Sequence, residues 1–495
     1  MKKLALLSVS LLYTLVSLAQ LFYEERIELE LKDGYESEVI YESSKGVFVM
    51  EATSEEKIGD QYQLKYDLYN SDLELEKTEK VMIPGKLRFN ELYYNDEYIY
   101  NFYTRKDEFA IVSVRMEDLD INVTEGTLPM KANFRGMKVM GNTAYFEATK
   151  KKAEILYKVD LETGQATAIP LIVNNYDPKK VFVENYQLLE KTNELLIFLN
   201  VRLSKKEYET YLMMVNADGK AEKPFQLSQN DGNTISSVSA CRISPTELVY
   251  TGTYSKNSVE SEGLFFAKVT DGEVDFIQYF NFLDLNDFLS YLPERKQEKI
   301  EKKKEKKEKK GKEFSIDYLI ADHDIIVLSD GYLFLGEAYY PTYRTESYTT
   351  YSNGVATTHY RTVFDGYRYT HAVLAKYGKD GALEWDICFE MYPNYKPFYV
   401  KRFIAISDQT ENTIGMVFTS GNAIISKIVD FDGEVVSDEE WDLMETGNEE
   451  DKARWTSSNI DYWFENYFIA YGSQKIKDKS DKSKRKVYFV NKIGF

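Results

Sequence analysis

The side chains most often used for acid–base, nucleophilic or metal chemistry form no recognisable motif in this chain. There are three histidines, His323, His359 and His371, and no H-E-x-x-H, G-x-S-x-G, P-loop or Cys/His metal-binding spacing occurs. Asp322, His323 and Asp324 are consecutive, as in some metal sites, but alternation along a strand places His323 on the face opposite the two aspartates. We therefore predict no catalytic residue, no metal site and no cofactor.

Binding chemistry is better represented, in the aromatic segment YYPTYRTESYTTYSNGVATTHYRTVFDGYRYTH. Its Asn353-Gly354 pair is typical of a two-residue hairpin turn and fixes the pairing of the flanking strands. The register pairs Ser352 with Val355, Thr350 with Thr357, Tyr348 with His359, and Glu346 with Arg361. The last pair is oppositely charged, as favours a cross-strand contact.

This hairpin arm, residues 341–369, carries the predicted binding site. The site consists of Tyr343, Tyr348, Tyr351, Tyr360, Arg361 and Phe364. The register places Tyr343, Tyr351, Tyr360 and Phe364 on one face. Tyrosine combines a large apolar area with a hydroxyl, so such a face suits stacking on a sugar or contact with a protein. The competing interpretation is that these rings pack onto neighbouring parts of the fold.

The elements that position this arm are predicted from a repeat. Strand-like runs end repeatedly in turns at Gly164, Asp218-Gly219, Asp271-Gly272, Asp380-Gly381 and Asp432-Gly433, with degenerate members near residues 71 and 119. Asp-Gly between alternating apolar residues is a strong hairpin signal. Each unit reads as three strands, the turn and a fourth strand. Four antiparallel strands in roughly 45 to 60 residues are typical of a β-propeller blade.

The two ends of the chain complete this pattern. The last residues, KVYFVNKIGF, resemble a third strand with no fourth strand after it. The segment EERIELELKDG, residues 24–34, alternates in the manner of a missing fourth strand. We therefore predict an all-β fold, a β-propeller of four-stranded antiparallel blades closed by an N-terminal strand. Counting the turns gives eight blades, with seven as the alternative.

The turn segments resemble the repeats of quinoprotein-like eight-bladed propellers, which often read D-x-x-T-G-x-x-x-W. Asp160, Thr163 and Gly164 match the first half of that pattern, and Gly381 with Trp385 matches the second half. That family includes quinone-dependent dehydrogenases and cofactor-free envelope assembly scaffolds. The resemblance implies the propeller fold, and uncharacterised secreted envelope propellers are the closer match.

The N-terminus, MKKLALLSVSLLYTLVSLAQ, predicts export. Lys2 and Lys3 precede a short apolar run and a small-x-small cleavage site at Ser17 to Ala19. We expect residues 1–19 to be a signal peptide and residues 20–495 to form one propeller. The mature chain then has no transmembrane segment and lies in the periplasm or on the surface of a Gram-negative bacterium.

Three long insertions are expected on one face of the ring: 282–315 as a charged helix or disordered arm, 341–369 as the hairpin arm, and 474–486 as a basic loop. Residues 294–313 hold 11 Lys or Arg against 6 Glu, and residues 474–486 hold seven positive and two negative residues. The whole chain has a net charge of −19, which argues against nucleic acid as a partner. The Lys-rich insertions favour an anionic surface.

These features predict a non-enzymatic binding or scaffold protein of the envelope. It would engage a protein or a surface glycan through the insertion-bearing face. The alternative is a carbohydrate-active hydrolase with carboxylates in the propeller funnel, because the chain has 81 acidic residues and sequence spacing does not give their separation in space.

Two cysteines complete the sequence predictions. Cys241 is expected on the innermost strand of one blade and Cys388 on the outermost strand of the next. Such strands lie three strand spacings, roughly 14 Å, apart, which is too far for a disulfide. We predict two unpaired, mostly buried thiols.

Overall fold

The structure is a computed structural model that describes residues 22–31, 37–43, 46–58, 60–205, 207–227, 232–256, 260–352, 355–397, 399–407, 412–444, 446–448 and 450–494. The expected signal peptide and the Asn353-Gly354 turn lie outside these ranges. In the described part of the chain, no helix is both long and apolar enough to cross a membrane.

Strands dominate the chain and are numbered here in sequence order. They are β1 (Phe22–Glu30), β2 (Ser37–Ser43), β3 (Gly46–Ile58), β4 (Gln61–Tyr69), β5 (Leu75–Pro84), β6 (Arg88–Tyr94), β7 (Tyr98–Arg105), β8 (Glu108–Arg115), β9 (Ile121–Thr127), β10 (Asn133–Met140), β11 (Thr143–Lys150), β12 (Ala153–Asp160), β13 (Ala166–Pro170), β14 (Val181–Leu189), β15 (Glu194–Arg202), β16 (Tyr208–Val215), β17 (Phe225–Gln226), β18 (Thr234–Arg242), β19 (Glu247–Ser255), β20 (Gly263–Thr270), β21 (Glu273–Asn281), β22 (Leu319–Asp322), β23 (Ile326–Val327), β24 (Gly331–Ser352), β25 (Val355–Gly378), β26 (Leu383–Lys396), β27 (Ala405–Ile406), β28 (Thr413–Ser420), β29 (Ala423–Asp430), β30 (Val435–Leu443), β31 (Asp451–Phe464), β32 (Tyr467–Asp478) and β33 (Lys484–Gly494). The helical segments are α1 (Glu294–Glu308) and the 3-10 turns Pro178–Lys180, Glu190–Thr192 and Phe282–Asp284.

The described strands form eight antiparallel sheets. In chain order, sheets 1 to 8 are β2–β5, β6–β9, β10–β13, β14–β17, β18–β21, β22–β26, β27–β30, and β31–β33 with β1. First strands of different sheets lie side by side: β6 with β10, β10 with β14, β14 with β18, β18 with β22, β27 with β31, and β31 with β2. The last contact joins the final sheet to the first. The chain is therefore an all-β propeller with the first strand of each sheet innermost, as predicted; the blade count of the ring stays a prediction.

Strand β1 closes the series by pairing antiparallel with β33 in sheet 8. The register runs from Phe22 opposite Gly494 to Glu30 opposite Val487. Beyond β1, the Leu31 backbone N–H donates to the Lys486 carbonyl at 3.0 Å. The predicted closure by an N-terminal strand is confirmed, and it covers an edge of β33 that would otherwise be unpaired.

The predicted turns join the third and fourth strands of their sheets. Gly164, Gly219, Gly272, Gly381 and Gly433 have φ between +69° and +89°, a conformation that glycine adopts without steric cost. Gly433 has a second reason to lack a side chain, because a Cβ there would lie 2.8 Å from the Trp385 ring of sheet 6. Trp385 Nε1 also donates to the Phe431 carbonyl at 3.2 Å. The tryptophan of the quinoprotein-like pattern thus packs one sheet against the turn of the next.

The core lies between successive sheets rather than in one central mass. Phe102 of sheet 2 meets Phe146 of sheet 3 with ring centroids 4.1 Å apart. Phe389 of sheet 6 meets Phe418 of sheet 7 edge to face at 5.2 Å. Each sheet buries apolar side chains on both faces, which explains the near-continuous apolar runs of the middle strands.

The insertions differ partly from expectation. Residues 285–292 have helical spacing in the sequence but form turns, and the regular helix α1 begins only after Pro293. The helix carries two (i, i+4) ion pairs, Glu298 with Lys302 at 3.0 Å and Glu305 with Lys309 at 3.6 Å. Residues 474–486, expected as a loop, continue strands β32 and β33 through most of their length, and the turn occupies 479–483. The basic segment is therefore the end of a long hairpin.

Both cysteines are unpaired, as predicted. Cys241 lies in β18, the innermost strand of sheet 5, and Cys388 lies in β26, the outermost strand of sheet 6. Enclosure by protein raises the pKa of each thiol to about 12. Neither thiol is therefore suited to nucleophilic chemistry near neutral pH.

Candidate functional site

The arm is the outer part of the β24–β25 hairpin. Residues 342 to 352 pair with 355 to 366 beyond the point where β26 stops pairing with β25. Ten residues of strand span about 33 Å. All four predicted cross-strand pairs are found, including Tyr348 opposite His359 and Glu346 opposite Arg361.

The aromatic face of the arm is exposed. Tyr343, Tyr351, Tyr360 and Phe364 are between 48% and 77% exposed. Tyr343 and Phe364 lie opposite one another, with their rings edge to face at 6.1 Å. The competing interpretation, that the rings pack onto neighbouring parts of the fold, does not fit Tyr343, Tyr351 and Tyr360, whereas Phe364 is half-buried and packs on Tyr367.

The other face of the arm is polar and internally paired. Glu346 accepts hydrogen bonds from Arg361 Nη2 at 2.9 Å and from Arg344 Nη2 at 2.8 Å. The bond from Arg361 is the main reason why the pKa of Glu346 is lowered. Tyr348 stacks on His359 at 5.1 Å, and the Arg361 guanidinium lies 5.9 Å from the Tyr348 ring centroid. Tyr348 and Arg361 therefore form one small cluster, separate from the aromatic face.

Aromatic rings continue from the base of the arm towards the ring interior. Phe364 contacts Tyr367 at 5.0 Å, and Tyr367 contacts Tyr339 and Tyr399 at 5.6 and 5.9 Å. Tyr399 belongs to the connection between sheets 6 and 7. Nearby Glu184 and Asp322, both on inner strands, contribute to the raised pKa of Tyr339 after the larger effect of burial. The base of the arm thus adjoins the central channel.

The central channel is where side chains of non-neighbouring sheets meet. Lys401 Nζ, from the connection between sheets 6 and 7, lies 3.5 Å from Asn185 Oδ1 in sheet 4. Gln187 Nε2 of sheet 4 lies 3.5 Å from Asp324 Oδ1 of sheet 6. The cavity that these residues line has a volume of about 950 Å³. That volume is enough for a small organic ligand.

Bulges shape the wall of this channel. In β6, β10, β14 and β18 the pairing with the second strand skips one residue. The skipped residues are Asn90, Gly136, Glu184 and Ser236. A bulge leaves a residue out of the ladder and redirects its side chain. At Glu184 the result is a carboxyl group that lines the cavity.

Glu147, Glu184 and Asp322 form what we call the carboxyl cluster. Glu184 is reached by water in the channel, yet protein atoms surround it on nearly all sides. This enclosure, followed by the neighbouring Asp322 and Glu147, raises the pKa of Glu184 to about 8, against the opposing effect of the hydrogen bond that Asn200 Nδ2 donates at 2.9 Å. Enclosure also raises the pKa of Glu147 to about 7, against the opposing effect of Arg135.

Asp322 is the most enclosed member of the cluster. Enclosure raises its pKa, although Lys401 opposes the shift. Its Oδ2 atom is buried and has no hydrogen-bond partner among the described residues. Glu184 and Glu147, whose pKa values lie near neutral pH, can act as general acids or as hydrogen-bond donors to a ligand.

Lys138, Lys401 and Arg402 form what we call the cation cluster. Arg402 Nη2 pairs with Asp324 Oδ2, and the Lys138 ammonium lies 5.1 Å from the Tyr93 ring centroid. Enclosure, followed by the charge of Arg402, lowers the pKa of Lys138. Enclosure alone would raise the pKa of Asp324, but Arg402, Lys401 and Lys138 together lower it.

One buried carboxylate holds this part of the channel in place. Glu337 Oε1 accepts hydrogen bonds from the backbone N–H groups of Phe403 and Ile404 at 2.9 and 2.8 Å, and it lies 2.6 Å from His323 Nε2. These bonds tie the connection that carries Lys401 and Arg402 to the segment that carries Asp322 and Asp324. As expected from alternation, His323 thus lies on the face opposite the two aspartates.

No group of His, Cys, Asp and Glu in the described residues is arranged to hold a metal ion. His323 pairs with Glu337, and His359 lies on the arm. His371 is buried against Tyr291, with rings stacked at 3.8 Å, and desolvation lowers its pKa to about 3.

Sequence reasoning found the arm and missed both clusters of the channel. Each cluster joins residues from different sheets that are far apart in the chain: Asp322 follows Glu184 by 138 residues, and Lys401 follows Lys138 by 263 residues, so no local spacing marks them. The available signal is a polar residue in the first strand of a repeat unit, where a solvent-free core position would be apolar. Lys138 in β10 and Glu184 in β14 have that signature.

No protein-family model matches the chain, and no curated protein matches it. Several solved structures are similar in fold. The alignment with the propeller of Dos1 covers 96% of this chain and 95% of the Dos1 chain, at 10% identity and a TM-score of 0.41. The alignment with the propeller domain of the Trilobed protease from Pyrococcus furiosus covers 81% of this chain and 95% of that domain, at 10% identity and a TM-score of 0.31. The alignment with an uncharacterized protein from Listeria monocytogenes covers 86% of this chain and 99% of that protein, at 11% identity and a TM-score of 0.39. The similarity concerns the fold alone.

Proposed function

We propose that this protein is a non-enzymatic binding protein of the bacterial envelope, exported to the periplasm or cell surface, and that it engages a protein or a surface glycan through the arm. The observation that carries the proposal is the exposed aromatic face formed by Tyr343, Tyr351, Tyr360 and Phe364. Tyrosine and arginine dominate the residues that contribute most at interfaces.

The free energy available on such a face is substantial. Complete burial of one large apolar side chain contributes about 1.5–3 kcal/mol, before the cost of association. The hairpin ladder already holds the strands that carry the rings in one conformation, so less entropy is lost when a partner orders them. The arm is therefore a preorganised contact surface.

The charges near the arm restrict the partner further. By strand order, the connection that contains α1 and the β32–β33 hairpin emerge on the same face as the arm. Both are rich in lysine. An acidic protein surface or an anionic glycan would be attracted to this face, and added salt would weaken its binding.

The test is site-specific crosslinking in the native envelope. A photoreactive amino acid at position 360 should give one reproducible adduct, and the substitution Tyr351→Ser should reduce it. The matched control places the same amino acid at position 357, on the opposite face of the arm. Binding of the same variants to a glycan array tests whether the partner is a glycan. Equal crosslinking from positions 360 and 357, with no glycan retained, would contradict the proposal.

A second candidate function is the hydrolysis of a glycosidic bond in the channel. It is favoured by the raised pKa of Glu184, about 8, beside Asp322 and Glu147. Glycoside hydrolysis uses a pair of carboxyl groups, one of which has a raised pKa and serves as the general acid. A screen of envelope and plant polysaccharides tests it, and turnover that Glu184→Gln abolishes would favour the enzyme over the binding protein.

A further inference from the structure

The cation cluster has more hydrogen-bond donors than the described residues satisfy. Each lysine ammonium offers three donors and the guanidinium offers five. Arg402 uses one nitrogen on Asp324, and Lys401 makes one long contact of 3.5 Å to Asn185. Lys138 contacts the Tyr93 ring. The remaining donors are available to water or to a ligand.

Holding three cations together is unfavourable unless an anion lies between them. The positive charges of Arg402 and Lys401 are close enough to Lys138 to lower its pKa. Asp324 supplies one compensating charge inside the cluster, and Glu190 supplies a second beside Lys138. Lys138 is largely enclosed by protein, so water weakens its repulsion from Lys401 and Arg402 less than it would at the outer surface, although those two residues face the open channel. Three cations against two carboxylates leave the cluster with capacity for one further anion.

The cluster is also built, rather than a chance meeting of surface lysines. Lys138 comes from β10 in sheet 3, whereas Lys401 and Arg402 come from the connection before β27 in sheet 7. Glu337 fixes that connection through backbone hydrogen bonds at 2.9 and 2.8 Å. A carboxylate with no exposed surface thus acts as a positioning residue for two of the three cations.

We propose that the cation cluster is a binding site for a small ligand that bears an oxyanion, a carboxylate or a phosphate, held by Lys138, Lys401 and Arg402 inside the central channel. Bidentate contact from a guanidinium suits both kinds of oxyanion. Asn185 and Gln187 line the same cavity, and their amides donate hydrogen bonds to the Val238 and Ala240 carbonyls of β18, which fixes this wall of the site. This site is separate from the arm.

Position along the inner strands separates the site from the carboxyl cluster. Glu184 precedes Asn185 in β14, and Asp322, the last residue of β22, precedes Asp324. The carboxyl cluster therefore lies nearer the N-terminal ends of the inner strands. A ligand in the cation cluster can extend towards it, where Glu184 and Glu147, with pKa values raised to about 8 and about 7, can donate hydrogen bonds.

The test is isothermal titration of the full mature chain with four probes: glucuronate, glucose 6-phosphate, inorganic phosphate and neutral glucose. We expect saturable binding of at least one anion and none of glucose. Binding of glucuronate without binding of a phosphate probe identifies the oxyanion of the ligand as a carboxylate. Binding of glucose 6-phosphate or inorganic phosphate without binding of glucuronate identifies it as a phosphate. No saturable binding of any anion, or equal binding of glucose and glucuronate, overturns the proposal.

Two single substitutions, Lys401→Gln and Arg402→Gln, locate the site. Each should weaken the anion that binds by about tenfold or more, the loss expected for one charge-assisted hydrogen bond. Lys306→Gln, on the exposed surface of α1, removes the same charge elsewhere and should leave the affinity unchanged. Thermal unfolding shows whether each variant is folded, and Lys401→Gln keeps the test decisive if Arg402→Gln fails to fold. Wild-type affinity in a folded Lys401→Gln or Arg402→Gln variant would place the anion elsewhere and overturn the proposal.

Discussion

The arm and the central channel differ in how their residues are brought together in the fold and in how their side chains meet water. The arm is a local hairpin whose residues are neighbours in sequence, and its rings remain in water. The channel is assembled from sheets far apart in sequence, and its charged groups either face a cavity inside the ring, as Glu184 and Arg402 do, or are buried, as Asp322 is. The comparison teaches that the arm can change with little effect on the ring, whereas the channel exists only while the ring is closed.

The sharpest way to break this comparison is to remove β1. Deleting residues 20–34 exposes the edge of β33 and removes the contacts of Ile27 and Leu29 with sheet 8. We expect a loss of stability on the order of 5 kcal/mol or more, since several apolar side chains and a full strand ladder are lost. Thermal and urea unfolding measure it.

The matched control replaces residues 343–364 of the arm by Asn-Gly. Its unfolding temperature should equal that of the full chain within a few degrees. A β1 deletion that melts like the full chain would show that the ring does not depend on this closure.

The next largest effect is expected within strand β24 itself. Glu337 has no exposed surface and serves the connection of the channel, whereas Glu346, in the same strand, serves the arm. Glu337→Ala leaves His323 and two backbone N–H groups without their acceptor, so we expect a loss of about 3–5 kcal/mol.

Glu346→Ala is the control, with no measurable loss of stability expected. Urea unfolding measures the loss of stability in both variants. Because each replaces a glutamate by alanine, the difference between them compares the channel with the arm. Equal effects at both positions would remove the distinction between the two regions.

The same contrast explains what the sequence could reveal. Asn353-Gly354 fixes the arm register, so the four predicted cross-strand pairs followed from one turn. The Asp-Gly turns and the alternating β1 segment likewise revealed the sheets and their closure. The helical spacing of the apolar residues from Leu285 to Leu292 wrongly indicated a helix, because the same spacing also fits turns that pack on a sheet. The channel escaped prediction because its geometry depends on how separate sheets are arranged around the axis, which no local pattern records.

A smaller effect, on pH dependence, is expected at Glu184. Its pKa is raised from 4.5 to about 8 in the folded protein. Between these values the folded state binds more protons than the unfolded state, so this group makes stability fall as pH rises through that interval. Glu184→Gln should therefore flatten the decrease in unfolding temperature from pH 5 to pH 8.

Glu162→Gln, in an exposed turn of sheet 3, is the control and should keep the wild-type pH profile. Thermal unfolding across a pH series measures both variants. An unchanged profile for Glu184→Gln would show that water in the channel solvates this carboxyl as well as bulk water does.

The smallest effect on stability is expected on the arm, at Tyr351 and Tyr360. Each ring is about three-quarters exposed, so unfolding changes its contact with water very little. The double substitution Tyr351→Ser and Tyr360→Ser should change the free energy of unfolding by no more than about 0.5 kcal/mol per site. If the rings serve a partner, Tyr351→Ser alone should also reduce the crosslink formed from position 360. A loss of several kcal/mol would instead mean that the rings contribute to the fold, and the arm would then be a structural element like the channel wall. Stability that persists while partner binding is lost is the combination that assigns the arm to recognition alone, because a residue kept for folding must affect folding when it is removed.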